Sequence, residues 1–537
     1  MTTELADFIS QFIITACFIG VILVILTDKI NRAIISIVGA LIVFFTLVFN
    51  TSSSYTAVPS DFITILFGTA PSYVNLHALV LVIGMLFIVQ ICSSAGVFQF
   101  IAFQLIKMAK GNPTRLMIYI CFITILVSAV LGNILAILIL IPLTVVASRI
   151  LNIDPRPYII CQGILIPVGE IIFSISSVPS IIITSFAHLG FIEYFLNVGL
   201  FCLFLFVITL VYFSFYHRNR LVTPKLRLVA VLMEFNPWNY VPDRNLFYKS
   251  SIVFISVIVG FILIPQELVT PDIIALTGGI ILALITRLKG SDIVQKLDLE
   301  LILYLLGIFL ITGAMEHVNV IEAIGQGFSG IAGANPFTII LTTLWISALL
   351  SGAVDNIPIT NVLVPVVAVM VHYDGSANPS PLVKSTYYSL AFGASLGDNL
   401  TPLGDTIMTR TVSEQQGVSF SNVQYIRLSF GVAIMHLTAL SIYFTFFYYI
   451  GIALFSIFIA FLFIGLVIFS RYLTRSFISN KNLLFSRLLG KLKNKKYRID
   501  KKLIFREFLK KFTHLNLIRG WKRRLLRDSM RFLKELL

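Results

Sequence analysis

Charged side chains are scarce in this sequence. They make up 12% of the 537 residues, whereas hydrophobic residues make up 58%, and the mean hydropathy is +0.95. A soluble domain carries about 25% charged residues, so this scarcity excludes a soluble protein and indicates an all-α polytopic membrane protein. The first apolar run, 8–26, is too long for the core of a signal peptide and is interpreted as the first transmembrane span.

Cysteine is also scarce, and its placement argues against a metal centre. The five cysteines lie in apolar runs without the spacing of metal ligands: Cys17, Cys92, Cys121, Cys161 and Cys202. Zinc-ligand spacing, a nucleophile elbow and a phosphate-binding loop are missing from the sequence as well. We therefore expect a protein that is not an enzyme and that has neither a cofactor nor a structural metal.

Positive charge is concentrated in one segment. Residues 471–537 hold 21 Lys and Arg against 4 acids, whereas the remaining 470 residues hold 19 against 21. Phe505, Phe508 and Phe512 recur in the tail at helical spacing among lysines and arginines. This pattern predicts a basic amphipathic helix on anionic lipid headgroups, with a cytosolic protein partner as the alternative. Nucleic acid is not an expected partner.

An internal repeat organises the membrane body, and its two copies are related by a constant offset of 223 in the numbering. The matched residues are Gly84 with Gly307, Asn112-Pro113 with Asn335-Pro336, Asn133 with Asn356, Pro142 with Pro365, and Pro179 with Pro402. They fall at helix starts and helix breaks, where glycine, proline and asparagine have mechanical roles. The matches therefore indicate a duplicated membrane unit.

Apolar runs of spanning length predict about 11 crossings. If the N-terminus is outside and the C-terminus is in the cytoplasm, the inside loops carry 18 of the body's 19 Lys and Arg. Five crossings per repeat then make the two repeats inverted, and the plasma membrane is the expected location. The predicted domains are the first repeat, 1–216; a cytoplasmic linker, 217–247; the second repeat, 248–449; an additional transmembrane helix, 450–470; and the basic cytoplasmic tail, 471–537.

Each repeat contains two interrupted apolar segments. We predict re-entrant hairpins at 113–148 and 336–371, with pairs of full crossings as the alternative, and broken transmembrane helices at 157–190 and 386–412. A bilayer core cannot satisfy a charge or an interrupted backbone, so such breaks typically line a binding site. The candidate substrate and ion ligands, including those for Na⁺, are Gly132, Asn133, Ser176, Ser177, Ser180, Asp355, Asn356, Thr360, Asp398, Asn399, Thr401, Gly404 and Asp405. The candidate proton carriers are Glu170, Asp355, Asp398 and Asp405.

The chain resembles the ion transporter superfamily, which groups arsenite permeases, citrate and dicarboxylate carriers, and one class of sodium/proton antiporters. The resemblance rests on SGAVDNIPIT, GASLGDNLTPLGDTIMTRTVSEQQGVSF, LVIGMLFIVQICSSAGVF and SAVLGNILAILILIPLTVVA. It implies two inverted repeats, a homodimer, and a site between the hairpin tips and the helix breaks. It also shows a departure, because relatives commonly have Asp-Asn where this chain has Gly132-Asn133.

The sequence predicts an ion-coupled secondary transporter with a citrate-transporter-like membrane domain. Burial disfavours the charged form of a carboxylate, so an intramembrane acid can exchange a proton for a cation. Several such acids, and no basic residue in the centre of the site segments, favour Na⁺/H⁺ antiport with Na⁺ or H⁺ as the coupling ion. The alternative is Na⁺- or H⁺-coupled transport of citrate, a dicarboxylate or arsenite. An ion channel, or a membrane anchor whose tail recruits cytosolic partners, is the alternative from a different class. An intramembrane aspartyl hydrolase would leave the duplicated broken helices unexplained.

Overall fold

A computed structural model describes residues 2–27, 29–58, 60–68, 74–217, 224–234, 236–266, 268–286, 298–333, 335–376, 378–401 and 405–450. The longer regular elements in these ranges are helices. They are α1 (Thr2–Leu26), α2 (Arg32–Phe49), α3 (Asp61–Phe67), α4 (Val74–Ser94), α5 (Val97–Met108), α6 (Pro113–Leu151), α7 (Arg156–Glu170), α8 (Val178–Phe186), α9 (Phe191–Tyr216), α10 (Leu226–Glu234), α11 (Arg244–Leu263), α12 (Pro271–Thr286), α13 (Leu299–His317), α14 (Val320–Ala332), α15 (Pro336–Ala353), α16 (Asn356–Met370), α17 (Pro381–Leu396), α18 (Asp405–Gln415) and α19 (Asn422–Ile450). The tail 471–537 and nearly all of the predicted helix 450–470 lie outside the described residues.

Nine of the described helices are long and apolar enough to cross a membrane, namely α1, α2, α4, α6, α9, α11, α13, α15 and α19. Three shorter apolar helices, α5, α12 and α16, accompany them. The predicted all-α polytopic fold class is therefore confirmed. The number of crossings, the inversion of the repeats and the domain boundaries stay predictions.

The helix order of the two halves follows the offset seen in the sequence. Helices α6 and α15 begin at the matched prolines Pro113 and Pro336, and each begins with the same cap. The Asn112 side chain accepts a hydrogen bond from the Thr114 amide at 3.0 Å, and the Asn335 side chain is bonded in the same way to the amide two positions further on. An Asn cap followed by proline satisfies the free amides of a helix start, which explains why these pairs match.

Helices of one half pack against helices of the other half. Helix α4 of the first half packs against α12 of the second, and α13 of the second half packs against α2 of the first. A Cβ added at Gly84 would lie 2.8 Å from the backbone of Ala275, and one added at Gly307 would lie 2.6 Å from the backbone of Ser36. Glycine permits these close helix contacts. The matched glycines therefore have the same role in both halves, and the predicted repeats are interlocked.

The described part of the predicted linker is packed rather than extended away from the membrane body. Helix α10 contacts α6, and a Cβ added at Gly111 would collide with the side chain of Val229. A short turn, Pro237–Tyr240, follows, and its Trp238 ring lies 4.6 Å from the ring of Phe100 in α5. The linker therefore covers the end of the first half as well as joining the halves.

Candidate functional site

The tip of the second hairpin lies directly against the second helix break. Helix α15 ends at Ala353 and α16 begins at Asn356, while α17 passes at Leu396 into a single 3-10 turn. A Cβ added at Gly352 would lie 2.9 Å from the carbonyl oxygen of Gly397. Glycine at both positions lets the two backbones approach, so the polar groups of tip and break share one buried space.

Asp398 is at the centre of this space. Its carboxylate is 7% exposed and accepts hydrogen bonds from the Ser351 hydroxyl at 3.1 Å and from the Asn356 amide at 3.2 Å. The Ser351 hydroxyl also lies within hydrogen-bond distance of the carbonyl oxygen of Ala394, so its single hydrogen is shared between the two acceptors. A buried carboxylate needs such donors, because an unpaired charge in a low-dielectric interior is costly. The second hairpin thus completes the environment of an acid on the neighbouring broken helix.

Asp355 has a different environment from Asp398. Its side chain accepts a hydrogen bond from the Ile357 amide at 3.1 Å and so caps α16. The residue is partly exposed at the tip, beside the exposed Ala353. A capping carboxylate is also favoured by the positive end of the helix dipole. The two acids therefore occupy neighbouring but separate positions.

The second break is also fixed to the first half. The Asn399 side-chain amide donates to the carbonyl of Ile164 in α7 at 3.0 Å, and the Thr401 hydroxyl donates to the carbonyl of Gly352. Thr360 is fully buried, and its hydroxyl donates to the carbonyl of Asn356 at 2.7 Å within α16. Among the predicted residues of the second half, Thr401 thus joins the helix break to the hairpin tip, and Asn399 joins the break to the first half.

The first hairpin repeats this arrangement with neutral groups. Helix α6 is interrupted at Gly132, whose φ is 69°, and a Cβ there would lie 2.6 Å from the carbonyl oxygen of Ser176. The break between α7 and α8 is closed by the Ser176 hydroxyl, which donates to the carbonyl of Glu170 at 2.5 Å. Asn133 is half-buried beside Gly132, and its side chain accepts from the Ile134 amide at 2.7 Å.

Three further predicted residues belong to the first break. Ser180 is fully buried in α8, and its hydroxyl lies 3.0 Å from the Tyr194 hydroxyl of α9. Glu170 ends α7 with 2% exposure and lies within electrostatic reach of Tyr194. Ser177 precedes α8, and its buried hydroxyl has no hydrogen-bond partner among the described residues. The structure thus places Glu170 near the first break, which the sequence alone left open.

Sequence reasoning missed two serines that tie each hairpin to its broken helix. Ser351 bonds to α17, and Ser128, its counterpart at the repeat offset, donates to the carbonyl of Ile166 in α7 at 2.6 Å. Because the offset pairs them, their match was available as a signal. Two predicted site residues are not placed by the structure, since Gly404 and the side chain of Asp405 lie outside the described residues.

Comparison with known proteins agrees with this architecture. The Citrate transporter family profile matches residues 22–386 and 266–511. The chain is 24% identical over 437 residues to the 46 kDa membrane protein of Mycobacterium leprae, covering 81% of this chain and 97% of that protein. It is 22% identical over 506 residues to the P protein of Homo sapiens, covering 79% of this chain and 58% of that protein.

A solved structure shares the fold. The YdaH transporter of Alcanivorax borkumensis aligns with a TM-score of 0.50 at 14% identity, covering 72% of this chain and 87% of that one. The resemblance to the ion transporter superfamily is confirmed by the family match and by these relatives. The chain therefore belongs to the citrate transporter family and is an integral membrane transporter rather than an enzyme.

Proposed function

We propose that this transporter exchanges Na⁺ for protons, with Asp398 as the group that binds them alternately. The observation that carries the proposal is the position of the Asp398 carboxylate between the Ser351 hydroxyl and the Asn356 amide. Each carboxylate oxygen has two lone pairs, so it can accept a hydrogen bond and also contact a cation. Hard cations prefer such oxygen ligands, and a buried carboxylate favours neutralisation by a cation or a proton.

The arrangement couples occupancy to the position of the hairpin. Ser351 and Asn356 belong to the hairpin, whereas Asp398 belongs to the break after α17, so a cation at Asp398 would rearrange contacts between two separate elements. Asn399 ties the same break to α7 of the first half. A change of charge at one carboxylate can therefore shift the equilibrium between two arrangements of hairpin and broken helix.

The experiment is flux in proteoliposomes containing the full chain under an imposed pH gradient, with Na⁺, Li⁺, citrate, succinate and arsenite added in turn. The proposal expects Na⁺ or Li⁺ to dissipate the gradient, with saturation at high cation concentration. Empty liposomes give the leak. A gradient that neither cation disturbs, in vesicles shown to contain folded protein, would rule out the exchange. Flux that never saturates would instead indicate a channel.

A second candidate is cation-coupled transport of a small anion or oxyacid such as citrate, a dicarboxylate or arsenite. The observation that favours it is the first half-site, where the buried Ser177 hydroxyl stands before α8 without a partner among the described residues. A free hydroxyl and a helix N-terminus both suit an anion. Uptake of labelled citrate that requires Na⁺ or an inward proton gradient would establish this function in place of antiport.

Assembly and orientation form part of the same proposal. The Lys and Arg distribution supports an outside N-terminus and a cytoplasmic C-terminus, and the plasma membrane is the proposed location. The superfamily resemblance supports a homodimer, and the charge of the tail supports contact with anionic lipid headgroups or a cytosolic partner. Mass measurement of the detergent-solubilised protein tests the dimer, and protease protection of the tail in oriented vesicles tests the orientation.

A further inference from the structure

Helix α13 and the second arm of the hairpin lie side by side and run in the same direction. The Asn361 amide donates to the Thr312 hydroxyl, and nearer the helix starts Asp355 lies within electrostatic reach of Tyr304. The two steps, from Tyr304 to Thr312 and from Asp355 to Asn361, each span about 9–12 Å at the helical rise per residue. The hairpin tip therefore lies at the end of α13 that begins with Glu300.

A buried hydroxyl faces the tip. Tyr304 is fully buried, and its hydroxyl has no hydrogen-bond partner among the described residues. A buried polar group normally has a partner in the protein or in ordered water. The hydroxyl lies within electrostatic reach of Asp355, a partly exposed residue, so a water molecule that enters from the tip is a suitable partner for it.

An ion pair lies beside the Tyr304 ring. Arg32, the first residue of α2, lies with its guanidinium 5.6 Å from the centre of the Tyr304 ring, and its Nε donates to Glu300 at 3.3 Å. Arg32 also lies within electrostatic reach of Asp355. Its side chain is 26% exposed and that of Glu300 is 45% exposed, whereas Tyr304 behind them is buried. The pair is thus the exposed part of this contact, and Tyr304 is the buried part.

We propose that the Arg32–Glu300 ion pair is a gate that covers Tyr304 and controls access to Asp355 from the end of α13 that begins with Glu300. Opening the pair connects the hairpin tip to water on that side, and the Tyr304 hydroxyl then positions a water or a solute against Asp355. An exposed ion pair contributes little to stability, so it can open without unfolding the protein. The gate rests on the proposed transport function, since it serves a site that must open to one side.

Cysteine accessibility tests the gate. The starting chain is the full-length protein with Cys17→Ser, because Cys17 is half-buried and the other four cysteines are buried. Tyr304→Cys is then treated with a positively charged, membrane-impermeant methanethiosulfonate, with and without Glu300→Gln. Since thiol modification follows exposure, Glu300→Gln is expected to accelerate labelling at 304 by at least about tenfold. Arg32→Gln should have the same effect, and Arg32→Lys a smaller one.

Phe309→Cys is the matched control, because Phe309 is 1% exposed on the same helix and lies away from the gate. If Glu300→Gln leaves the labelling rate at position 304 unchanged, the gate is overturned. An equal increase in the labelling rates at positions 304 and 309 would also overturn it. If Tyr304→Cys does not fold, hydrogen exchange of residues 353–357 gives a second readout, with faster exchange expected in Glu300→Gln and unchanged exchange counting against the gate.

Flux measured on the same preparations separates the gate from the proposed function. Accessibility that depends on Glu300, in a protein that exchanges no Na⁺ for protons, would support the gate and refute antiport. Exchange in a protein whose position 304 never becomes accessible would support antiport and refute the gate.

Discussion

The side-chain amide of Asn356 lies 3.2 Å from the Asp398 carboxylate and donates a hydrogen bond to it. The two residues come from different segments, since Asn356 begins the second arm of the hairpin and Asp398 follows the first arm of the broken helix. The repeat partner of Asn356 is Asn133, and at the repeat offset the position equivalent to Asp398 is Ile175. The contact therefore places an acid between the hairpin tip and the helix break in the second half-site.

Asp398→Asn is expected to lower the initial rate of coupled transport by at least about tenfold, because a hydrogen bond to a charged group contributes about 1.5–3 kcal/mol and the substitution also removes the charge. Flux under a pH gradient measures the loss. Asp374→Asn is the control, since Asp374 is exposed and its carboxylate accepts a hydrogen bond from the nearby Ser376 amide within a loop. Normal flux in Asp398→Asn would remove this acid from the mechanism.

Asp355→Asn and Asp355→Ala separate charge from capping. Asn keeps a side-chain acceptor for the Ile357 amide, whereas Ala removes it at a cost of about 0.5–2 kcal/mol. Both variants should lose coupled transport, but only Asp355→Ala should unfold at a lower temperature. Thermal unfolding in detergent gives the stability, and wild-type exchange in Asp355→Asn would show that the charge at the tip is not used.

Gly84→Ala and Gly307→Ala should each destabilise the protein by about 1–3 kcal/mol through overpacking against the exchanged helix. The added methyl would meet the backbone of Ala275 or of Ser36, and backbone cannot swing aside as a flexible side chain can. Gly327→Ala is the control on α14, where nothing lies within 4 Å. It should be neutral or stabilising by up to about 1 kcal/mol. Equal unfolding temperatures for all three variants would contradict the close packing.

Gly132→Ala tests the contact between the first hairpin tip and its break. Its φ of 69° nearly equals the 70° of Gly333, but a Cβ at 132 would lie 2.6 Å from the Ser176 carbonyl oxygen, whereas Gly333 faces open space. Strain at positive φ costs about 1–3 kcal/mol at either position. Gly132→Ala should therefore destabilise the protein more than Gly333→Ala does, and it should also slow transport. Equal stability and equal transport in Gly132→Ala and Gly333→Ala would contradict a close contact between the hairpin tip and the break.

Much of the fold could be predicted from the sequence. The polar interruptions at Gly132 and at Asp355 are helix breaks in the structure, and the offset of 223 matches caps, breaks and close-packing glycines. Whether the interrupted segments are re-entrant stays a prediction. These features are local, because a cap or a break is decided by the residues that form it. The predicted site residues Asn356, Asp398, Asn399 and Thr401 do meet at one place.

The pairings within the site could not be read from the chain. Asp355 and Asp398 were both candidates as intramembrane acids, and only the structure shows that Ser351 and Asn356 bond to Asp398 while Asp355 caps a helix. The nearness of Arg32 to the hairpin tip was equally hidden, since Arg32 and Asp355 belong to different repeats and are far apart along the chain. Such pairings depend on the depth and rotation of whole helices.

The sequence by itself determined a membrane-embedded helical protein, duplicated at a fixed offset, with broken helices at named residues. Its scarce charges and long apolar runs are sufficient for that conclusion, because a bilayer accepts only satisfied backbone. Tertiary structure alone decided which helices exchange partners and which acid the hairpin surrounds. The physical reason is that helices apolar on all sides carry no facing pattern, so their orientation is set by close packing at glycines and by a few buried hydrogen bonds.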